Sequence, residues 1–275
     1  MSEIIIRLQK DNEIEKIVDV FIDSFMPTKP DEVAKARIVK RFQLIKDYKI
    51  TDFYVAELDA QIVGIGGLTI HKGSSFIGYI GVSPSYRKKG IGTKIFAELV
   101  EQANLHNPTQ ELFSNPGADT IYRKFGYKDD FTAHIYELTR SQDKKNFDGI
   151  EIYNKIPDWI YCIDKEAMGF DRSSFLNFLF NFPGTKLFGI PDEGYALDMV
   201  QMFGPIIAKS DETAYNLIDY NLNTGSKRII ASESFENKLE KFSPVIKQTC
   251  YKMSLGEPLK NKPYWIWSYN SFASS

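Results

Sequence analysis

The chain has 275 residues, of which 43% are hydrophobic and 25% are charged, and its formal net charge is -2 at pH 7. This length predicts two domains of ordinary size, each able to bury a core without disulfides or metals. The balanced charge provides no general attraction to nucleic acid. We therefore expect no nucleic-acid partner, and we expect any anion site to be local.

The cysteines and the amino terminus indicate the compartment. Cys162 and Cys250 are too few and too far apart in sequence for a disulfide framework, and we interpret them as small hydrophobic residues. The chain does not begin with the basic start and long apolar run of a signal peptide. No stretch reaches the roughly eighteen apolar residues of a membrane helix. These features predict a cytoplasmic protein without a membrane partner.

The first half of the chain alternates between helical and strand-like periods. Its apolar spacing predicts the order β-α-α-β-β-β-α-β-α-β. The predicted segments are 4–8, 14–25, 32–46, 52–58, 61–71, 75–82, 91–103, 111–114, 118–124 and 131–138. Three consecutive antiparallel strands followed by a β-α-β unit predict an α/β fold, in which helices cover a mixed sheet.

A polar and charged stretch, 139–148, follows these segments and is the predicted linker. Beyond it the α/β pattern resumes, with an aromatic run at 264–269 that is typical of a buried strand. The other predicted segments are helices at 158–168 and 171–182, further helical stretches after Ser210 and after Ser232, and strands at 194–202, 228–231 and 248–253. We therefore expect two domains, at 1–140 and 150–275.

A basic loop that contains glycines, Arg87 to Gly92, follows a proline turn and leads directly into a helix. Glycines allow backbone N–H groups to approach a ligand closely, and a helix N-terminus adds free donors and partial positive charge. Arg87, Lys88 and Lys89 place full positive charges beside these donors. The loop is therefore a predicted anion site.

Two familiar phosphate-binding loops do not fit this stretch. A P-loop requires the spacing GxxxxGK followed by Ser or Thr, which does not occur here. A dinucleotide fingerprint requires a third glycine after Gly90 and Gly92, at the position that Ile95 occupies. The loop is therefore not expected to bind a nucleoside triphosphate or NAD.

The same stretch resembles the signature of the GNAT superfamily of N-acetyltransferases, a Val-x-Pro-x-Tyr approach followed by an Arg/Gln-x-x-Gly-x-Gly/Ala loop. The matching positions are Val82, Pro84, Tyr86, Arg87, Gly90 and Gly92. The resemblance implies a GNAT-like acyl-CoA N-acyltransferase fold with acetyl-CoA as the cosubstrate. It also implies that the loop amides hold the CoA pyrophosphate, while the preceding strand pairs with the pantetheine arm. The cofactor-binding residues implied are Ile80, Gly81, Val82, Arg87, Lys88, Lys89, Gly90, Ile91, Gly92 and Thr93.

A second stretch, Asn115 to Tyr127, resembles the end of the same family's catalytic domain. The family tyrosine that matches Tyr122 often protonates the departing CoA thiolate, which has a pKa of about 8.5. Under the alternative interpretation, Tyr122 only packs its helix against the sheet. Asn115 is a further predicted cofactor contact, although Asn-Pro-Gly is also typical of a plain turn.

The general base and any metal ligands are less evident. The strand 75–82 carries neither Asp nor Glu, so the candidate base is His71, whose ordinary pKa is about 6.5. The alternative is that His71 is a surface residue at a strand end. His106 and His134 lack neighbours at metal-ligand spacing, and we expect no metal.

The second half resembles the smaller acetyltransferase-like domain of tandem bacterial and archaeal GNAT proteins, at 163–172 and 194–208. Its corresponding loop, Lys209 to Thr213, carries two acidic residues that would oppose a pyrophosphate. We therefore expect a degenerate domain that shapes the acceptor site, with one cofactor per chain. Asp171 and Arg172 either contact the substrate or cap and pin the helix that they begin, and we favour the second role.

These observations predict an acyltransferase, namely an N-acetyltransferase that moves an acetyl group from acetyl-CoA to a primary amine of a small molecule by direct attack. Backbone N–H groups near 80–82 would polarise the thioester carbonyl. Two alternatives stay open: a protein or peptide N-acetyltransferase, and a non-catalytic CoA-binding sensor. A monomer and a homodimer are both compatible with the sequence, which carries no recognisable code for the acceptor.

Overall fold

The computed structural model of the chain describes residues 3–139, 147, 149–223 and 225–273. These residues form two compact units, one of 3–70 and 74–110 and the other of 71–73 and 111–273. The units are divided differently from the predicted domains, because residues 111–139 group with the carboxyl-terminal half. Most of the predicted linker, 140–146 and 148, lies outside the described residues.

The first unit contains four strands and three long helices. In chain order its elements are β1 (Ile5–Leu8), α1 (Ile14–Phe25), α2 (Glu32–Asp47), β2 (Asp52–Leu58), β3 (Gln61–Ile70), β4 (Ser75–Val82) and α3 (Ile91–Asn104). The order predicted from the apolar spacing is confirmed throughout this unit. The strands lie in the order β1-β2-β3-β4, and every neighbouring pair is antiparallel.

Local sequence explains the turn and the close packing around β3. Asp59 and Ala60 both have positive φ, 50° and 62°, as a two-residue turn between β2 and β3 requires. On one face of β3, a Cβ on Gly66 would lie 2.5 Å from Cγ2 of Ile95, and Gly64 is similarly close to α3. These glycines therefore allow α3 to lie directly against the sheet.

The other face of this sheet carries an aromatic cluster, composed of Phe21, Phe42, Phe53 and Tyr79. The Tyr79 ring centroid lies 5.2 Å from that of Phe53 and 5.6 Å from that of Phe42, both in edge-to-face geometry. Phe42 and Phe53 are fully buried. Aromatic pairs at these separations contribute beyond their buried area, so the cluster fixes α1, α2 and β4 on this face.

The second unit contains nine strands in two sheets. In chain order its elements are β5 (Gln110–Ser114), α4 (Asp119–Lys124), β6 (Lys128–Glu137), β7 (Glu151–Tyr153), α5 (Asp158–Met168), α6 (Ser173–Asn181), β8 (Lys186–Ile190), β9 (Gly194–Asp198), β10 (Phe203–Ala208), α7 (Asp211–Leu222), β11 (Arg228–Ser232), α8 (Glu236–Leu239), β12 (Val245–Leu255) and β13 (Ile266–Ser268). Four strands follow the order β5-β12-β6-β11, and five follow the order β13-β10-β9-β8-β7.

The strand β6 lies between β11 and β12, two strands from the last fifty residues of the chain. It pairs antiparallel with β12, where Ala133 faces Cys250, and with β11, where Tyr136 faces Ile229. Sequence reasoning treated β6 as the last strand of the first domain and did not anticipate these partners. Residues more than 100 positions apart are therefore held side by side in this unit.

The core of the second unit forms where α7 packs against the five-stranded sheet. Trp267, Phe203 and Leu217 are all fully buried there. The aromatic run at 264–269 forms a buried strand as predicted, although the strand is limited to β13 and Tyr264 is exposed. None of the helices in the described part of the chain is both long enough and apolar enough to cross a membrane.

Candidate active site

The strand β4 carries a bulge at the segment predicted to pair with the pantetheine arm. Its register against β3 shifts between Ile65 and Gly67, so that Tyr79 and Ile80 together face a single residue. Tyr79 has a φ of +56°, a backbone conformation that costs roughly 1–3 kcal/mol outside glycine. The aromatic cluster holds this residue in place. A bulge of this kind interrupts the hydrogen-bond ladder and changes the direction of the strand, as is common beside binding sites.

The end of α1 lies directly against the end of β4. A Cβ on Gly81 would lie 2.8 Å from Oγ of Ser24, so no larger residue fits without displacing α1. The Arg87 guanidinium donates to the carbonyl oxygens of Val82, at 3.0 Å, and of Ser24, at 3.2 Å. Arg87 therefore joins these two elements, while its charge stays exposed beside the loop.

The loop before α3 leaves several backbone amides without helical partners. Lys88 and Gly90 both have positive φ, 61° and 74°, and Gly90 is the N-cap residue, with no side chain capping the helix. The amide of Lys94 donates to the carbonyl oxygen of Gly90 at 3.1 Å. The amides of residues 91–93 precede this first helical bond, so they are free to donate to an anion.

The surroundings of these amides are open and positively charged. Among the described residues, no heavy atom lies within 4 Å of the position that a Cβ on Gly90 would take. A Cβ on Gly92 would meet only Cγ2 of Val82, at an ordinary 3.7 Å. Lys88 and Lys89 are exposed, and the Lys89 ammonium lies 5.3 Å from the centroid of the Tyr86 ring. The first unit therefore brings the predicted residues 80–82 and 87–93 together around free donors.

Tyr122 belongs to the second unit, where it lies in the short helix α4. Its side chain is buried, and desolvation raises the pKa of its phenol to about 12. The phenol is therefore protonated at neutral pH, as a proton donor must be. Arg123 pairs with Asp119 in the same helix and with Asp129 at 2.7 Å, which fixes α4 in the unit.

Asn115 and His71 also belong to the second unit. Asn115 is exposed directly after β5, and the following turn includes Gly117 with a φ of +91°. His71 is buried, and its ring stacks on Phe170 with a centroid distance of 5.2 Å. The interpretation of His71 as a surface residue is therefore wrong, because aromatic side chains cover it. Its role as a base stays a prediction.

Sequence reasoning missed two strand carboxylates of the second unit. Lys252 of β12 pairs with Glu111 of β5, and its ammonium lies 3.9 Å from Asp130 of β6. Both partners of the first pair are buried, and desolvation raises the pKa of the Asp130 carboxyl. The pair joins residues 141 positions apart, so no local signal could have revealed it. Within the described ranges, no three His, Cys, Asp or Glu side chains are arranged to hold a metal ion.

Removal of the Glu111 charge should destabilise the protein strongly. We expect Glu111→Gln to lower the free energy of unfolding by about 3–5 kcal/mol, because it leaves the Lys252 ammonium buried and without its main counter-charge. Urea denaturation would measure this change. Asp19→Asn is the control, since it breaks an exposed pair with Lys35 and should change the free energy by about 0.5 kcal/mol or less. Equal effects of the two substitutions would contradict the prediction.

The corresponding helix terminus of the second half is closed. The Ser210 hydroxyl caps α7 by accepting from the amide of Thr213 at 3.1 Å, and Asp211 in the first turn pairs with Lys238 at 2.6 Å. The Ser210 hydroxyl therefore takes up one of the amides that an anion would use, and the acidic residues Asp211 and Glu212 lie in the first turn. This contrasts with the uncapped N-terminus of α3.

Asp171 and Arg172, the two residues that precede α6, both form contacts within the protein. The Asp171 carboxylate accepts from the amide of Ser173, the first residue of α6, at 2.9 Å, although the N-cap residue is Arg172 and no side chain caps the helix. Arg172 is buried, and its guanidinium forms a two-pronged ion pair with Asp164, which also accepts from the hydroxyl of Tyr195. The predicted pinning role of Arg172 is confirmed, whereas Asp171 contributes one hydrogen bond from the position before the N-cap and does not cap the helix.

Comparisons with known proteins agree with this architecture. Family models of the GNAT acetyltransferase domain match residues 49–129 and residues 160–264. The first match contains the α3 loop and Tyr122, and the second lies in the carboxyl-terminal half. A comparison with curated protein sequences gives no match.

Solved structures are similar over nearly the whole chain. A candidate acetyltransferase from Pyrococcus horikoshii is 26% identical, with a TM-score of 0.91, over 99% of this chain and 96% of that chain. A GCN5-related N-acetyltransferase from Kribbella flavida is 12% identical, with a TM-score of 0.60, over 92% of this chain and 71% of its own. A GCN5-related N-acetyltransferase from Anabaena variabilis is 15% identical, with a TM-score of 0.63, over 94% of this chain and 73% of its own. At these identities the last two show the fold alone. The predicted fold class is confirmed, and the chain belongs to the GNAT acetyltransferase family as an acyltransferase with two GNAT domains.

Proposed function

We propose that the protein transfers the acetyl group of acetyl-CoA to a primary amine of a small molecule by direct attack. The observation that carries the proposal is the open, uncapped and positively charged N-terminus of α3. Its free amides, together with Lys88 and Lys89, suit the pyrophosphate of CoA. The self-capped α7 supports one cofactor per chain.

The chemistry needs positioning and modest proton transfer. The neutral amine attacks the thioester carbonyl carbon, the C–N bond forms, and the C–S bond breaks. Backbone N–H groups near residues 80–82 stabilise the developing oxyanion. The Tyr122 phenol gives its proton to the departing thiolate, and the proton lost by the amine passes to water or to a base such as His71. The cofactor role of Asn115 is part of the same proposal.

The division of labour between the two halves is also part of the proposal. Residues 1–140 would bind acetyl-CoA and carry out catalysis, and residues 150–275 would shape the acceptor site. The capped N-terminus of α7 supports this division, because its Ser210 cap and its first-turn acidic residues disfavour a pyrophosphate there.

An assay of free CoA release tests the proposal. The protein is incubated with acetyl-CoA and a panel of small primary amines, and the thiol released is followed with a chromogenic reagent. We expect at least one amine to raise CoA release well above the hydrolysis background. Acetyl-CoA binding with no amine-dependent release would favour the sensor function. Release only with peptides that carry lysines or free N-termini would favour a protein acetyltransferase.

A further inference from the structure

The side-chain amide of Asn115 is held by two residues of β12. Its Oδ1 accepts from Nε2 of Gln248 at 3.1 Å and from Sγ of Cys250 at 3.3 Å. Gln248 and Cys250 are two positions apart on the strand, so their side chains lie on the same face. Because β12 is the neighbour of β5 in the sheet, these side chains reach the residue that directly follows β5.

These contacts determine which end of the amide faces outward. An amide oxygen has two lone pairs, and here both accept from β12. The Nδ2 group of Asn115 donates to no partner among the described residues, and the side chain is exposed. With Nε2 of Gln248 directed at Asn115, turning over the Asn115 amide alone would place its Nδ2 hydrogens against that donor. The strand therefore presents the two N–H donors of Asn115 to the outside.

Cys250 remains a donor over the physiological pH range. It is buried, and desolvation raises the pKa of its thiol to about 12. The sulfur therefore keeps its hydrogen at neutral pH and can donate it to Oδ1 of Asn115. A thiolate at this position would instead repel the amide oxygen.

We propose that Gln248 and Cys250 are positioning residues that hold Asn115 with its N–H groups outward, as donors to a carbonyl oxygen of the pantetheine arm of acetyl-CoA. This inference rests on the proposed function. The pantetheine arm contains two amide carbonyls and therefore offers the acceptors that an outward N–H group requires. The second GNAT domain thus contributes the strand that sets the orientation of a cofactor contact.

The decisive substitution is Gln248→Glu. A carboxylate only accepts hydrogen bonds, so the Asn115 amide should turn over and present its oxygen to the pantetheine carbonyl. We expect the dissociation constant for acetyl-CoA, measured by titration calorimetry, to rise about 10-fold, because an attractive contact becomes a repulsive one. Gln248→Leu removes one donor without adding an acceptor and should raise the dissociation constant about 3-fold. Cys250→Ser keeps a donor and should leave the dissociation constant within about 2-fold of the wild-type value.

Two controls separate orientation from charge and from folding. Ile246→Glu adds the same charge at an exposed position of β12, and the dissociation constant should stay within about 2-fold of wild type. Thermal midpoints without ligand should be similar for the Gln248 and Ile246 variants, since both positions are exposed. In an Asn115→Ala background, Gln248→Glu should have no further effect, because the group that it turns over is absent.

The outcomes distinguish this inference from the proposed function. If the wild type does not bind acetyl-CoA, the proposed function fails. If the wild type binds and Gln248→Glu binds equally well, only the positioning role is overturned. An equal loss of affinity from Gln248→Glu with and without Asn115 would also overturn it. A loss that requires Asn115 and is not reproduced by Ile246→Glu supports it.

Discussion

Replacement of Gly90 by glutamate should abolish acetyl-CoA binding while the protein stays folded. We expect the dissociation constant for acetyl-CoA to rise by about 100-fold or more, because the new carboxylate would lie among the donors meant for a pyrophosphate. The space around Gly90 is open among the described residues, since no heavy atom lies within 4 Å of an added Cβ. Titration calorimetry with acetyl-CoA measures the effect, and far-UV circular dichroism checks the fold.

A matched glycine separates this effect from backbone strain. Gly90 has a φ of +74°, so any side chain there costs about 1–2 kcal/mol. Gly149 has a similar φ of +81°, and a Cβ there would meet only the Ile190 side chain, at 4.0 Å. Gly149→Glu therefore adds the same strain and the same charge at a position that is not predicted to bind the cofactor. If both variants bind acetyl-CoA alike, the assignment of the loop is wrong.

The strand, turn and helix around Gly90 could be predicted from the sequence for a physical reason. Strand, proline turn, basic glycine loop and amphipathic helix are all local patterns, and local spacing determines each of them. The order of elements in the first unit was predictable for the same reason. The free amides of residues 91–93 follow from the backbone alone, because any helix begins with unpaired N–H groups.

What the sequence did not reveal depends on contacts between distant residues. The pairing of β6 with β12, the buried pair of Glu111 and Lys252, and the contacts of Asn115 all arise because β12 lies between β5 and β6. Strand pairing of this kind is set by tertiary packing, which leaves no periodic signal along the chain. The contacts of Arg87 with backbone carbonyls were missed because a basic residue beside an anion loop suggests a ligand first.

Loss of the Tyr122 hydroxyl should lower turnover without changing cofactor binding. We expect Tyr122→Phe to reduce kcat by about 100-fold, which is the lower end of the range for a positioned general acid. The dissociation constant for acetyl-CoA should stay within about 2-fold of wild type, because the phenyl ring preserves the packing of α4. Steady-state kinetics with the amine identified in the panel measures both quantities.

A second tyrosine provides the matched control. Tyr127 is also buried, and burial also raises the pKa of its phenol, but it has no predicted role in proton transfer. Tyr127→Phe should therefore leave kcat within about 3-fold of wild type, even if it changes stability to a similar extent. Comparable losses of turnover in the two variants would indicate that the hydroxyl groups matter through packing.

The pH dependence follows from the sign of the Tyr122 shift. Burial disfavours the phenolate and raises the pKa to about 12, so the phenol keeps its proton between pH 7 and pH 10. Deprotonation of Tyr122 should therefore cause no fall in kcat over this range. An alkaline fall with a midpoint below pH 10 that disappears in Tyr122→Phe would contradict a buried acid.

The leaving group gives the sharpest test of proton donation by Tyr122. A thiolate of lower basicity needs less help to depart, so an acetyl thioester of a more acidic thiol should be less sensitive to the loss of the phenol. We expect the ratio of wild-type to Tyr122→Phe rates to fall as the thiol pKa of the acetyl donor falls. Substitution of Tyr127 should give a ratio that does not vary with the donor. If the Tyr122 ratio is equally constant, this residue only packs α4 against its neighbours, and the departing thiolate must take its proton from another group.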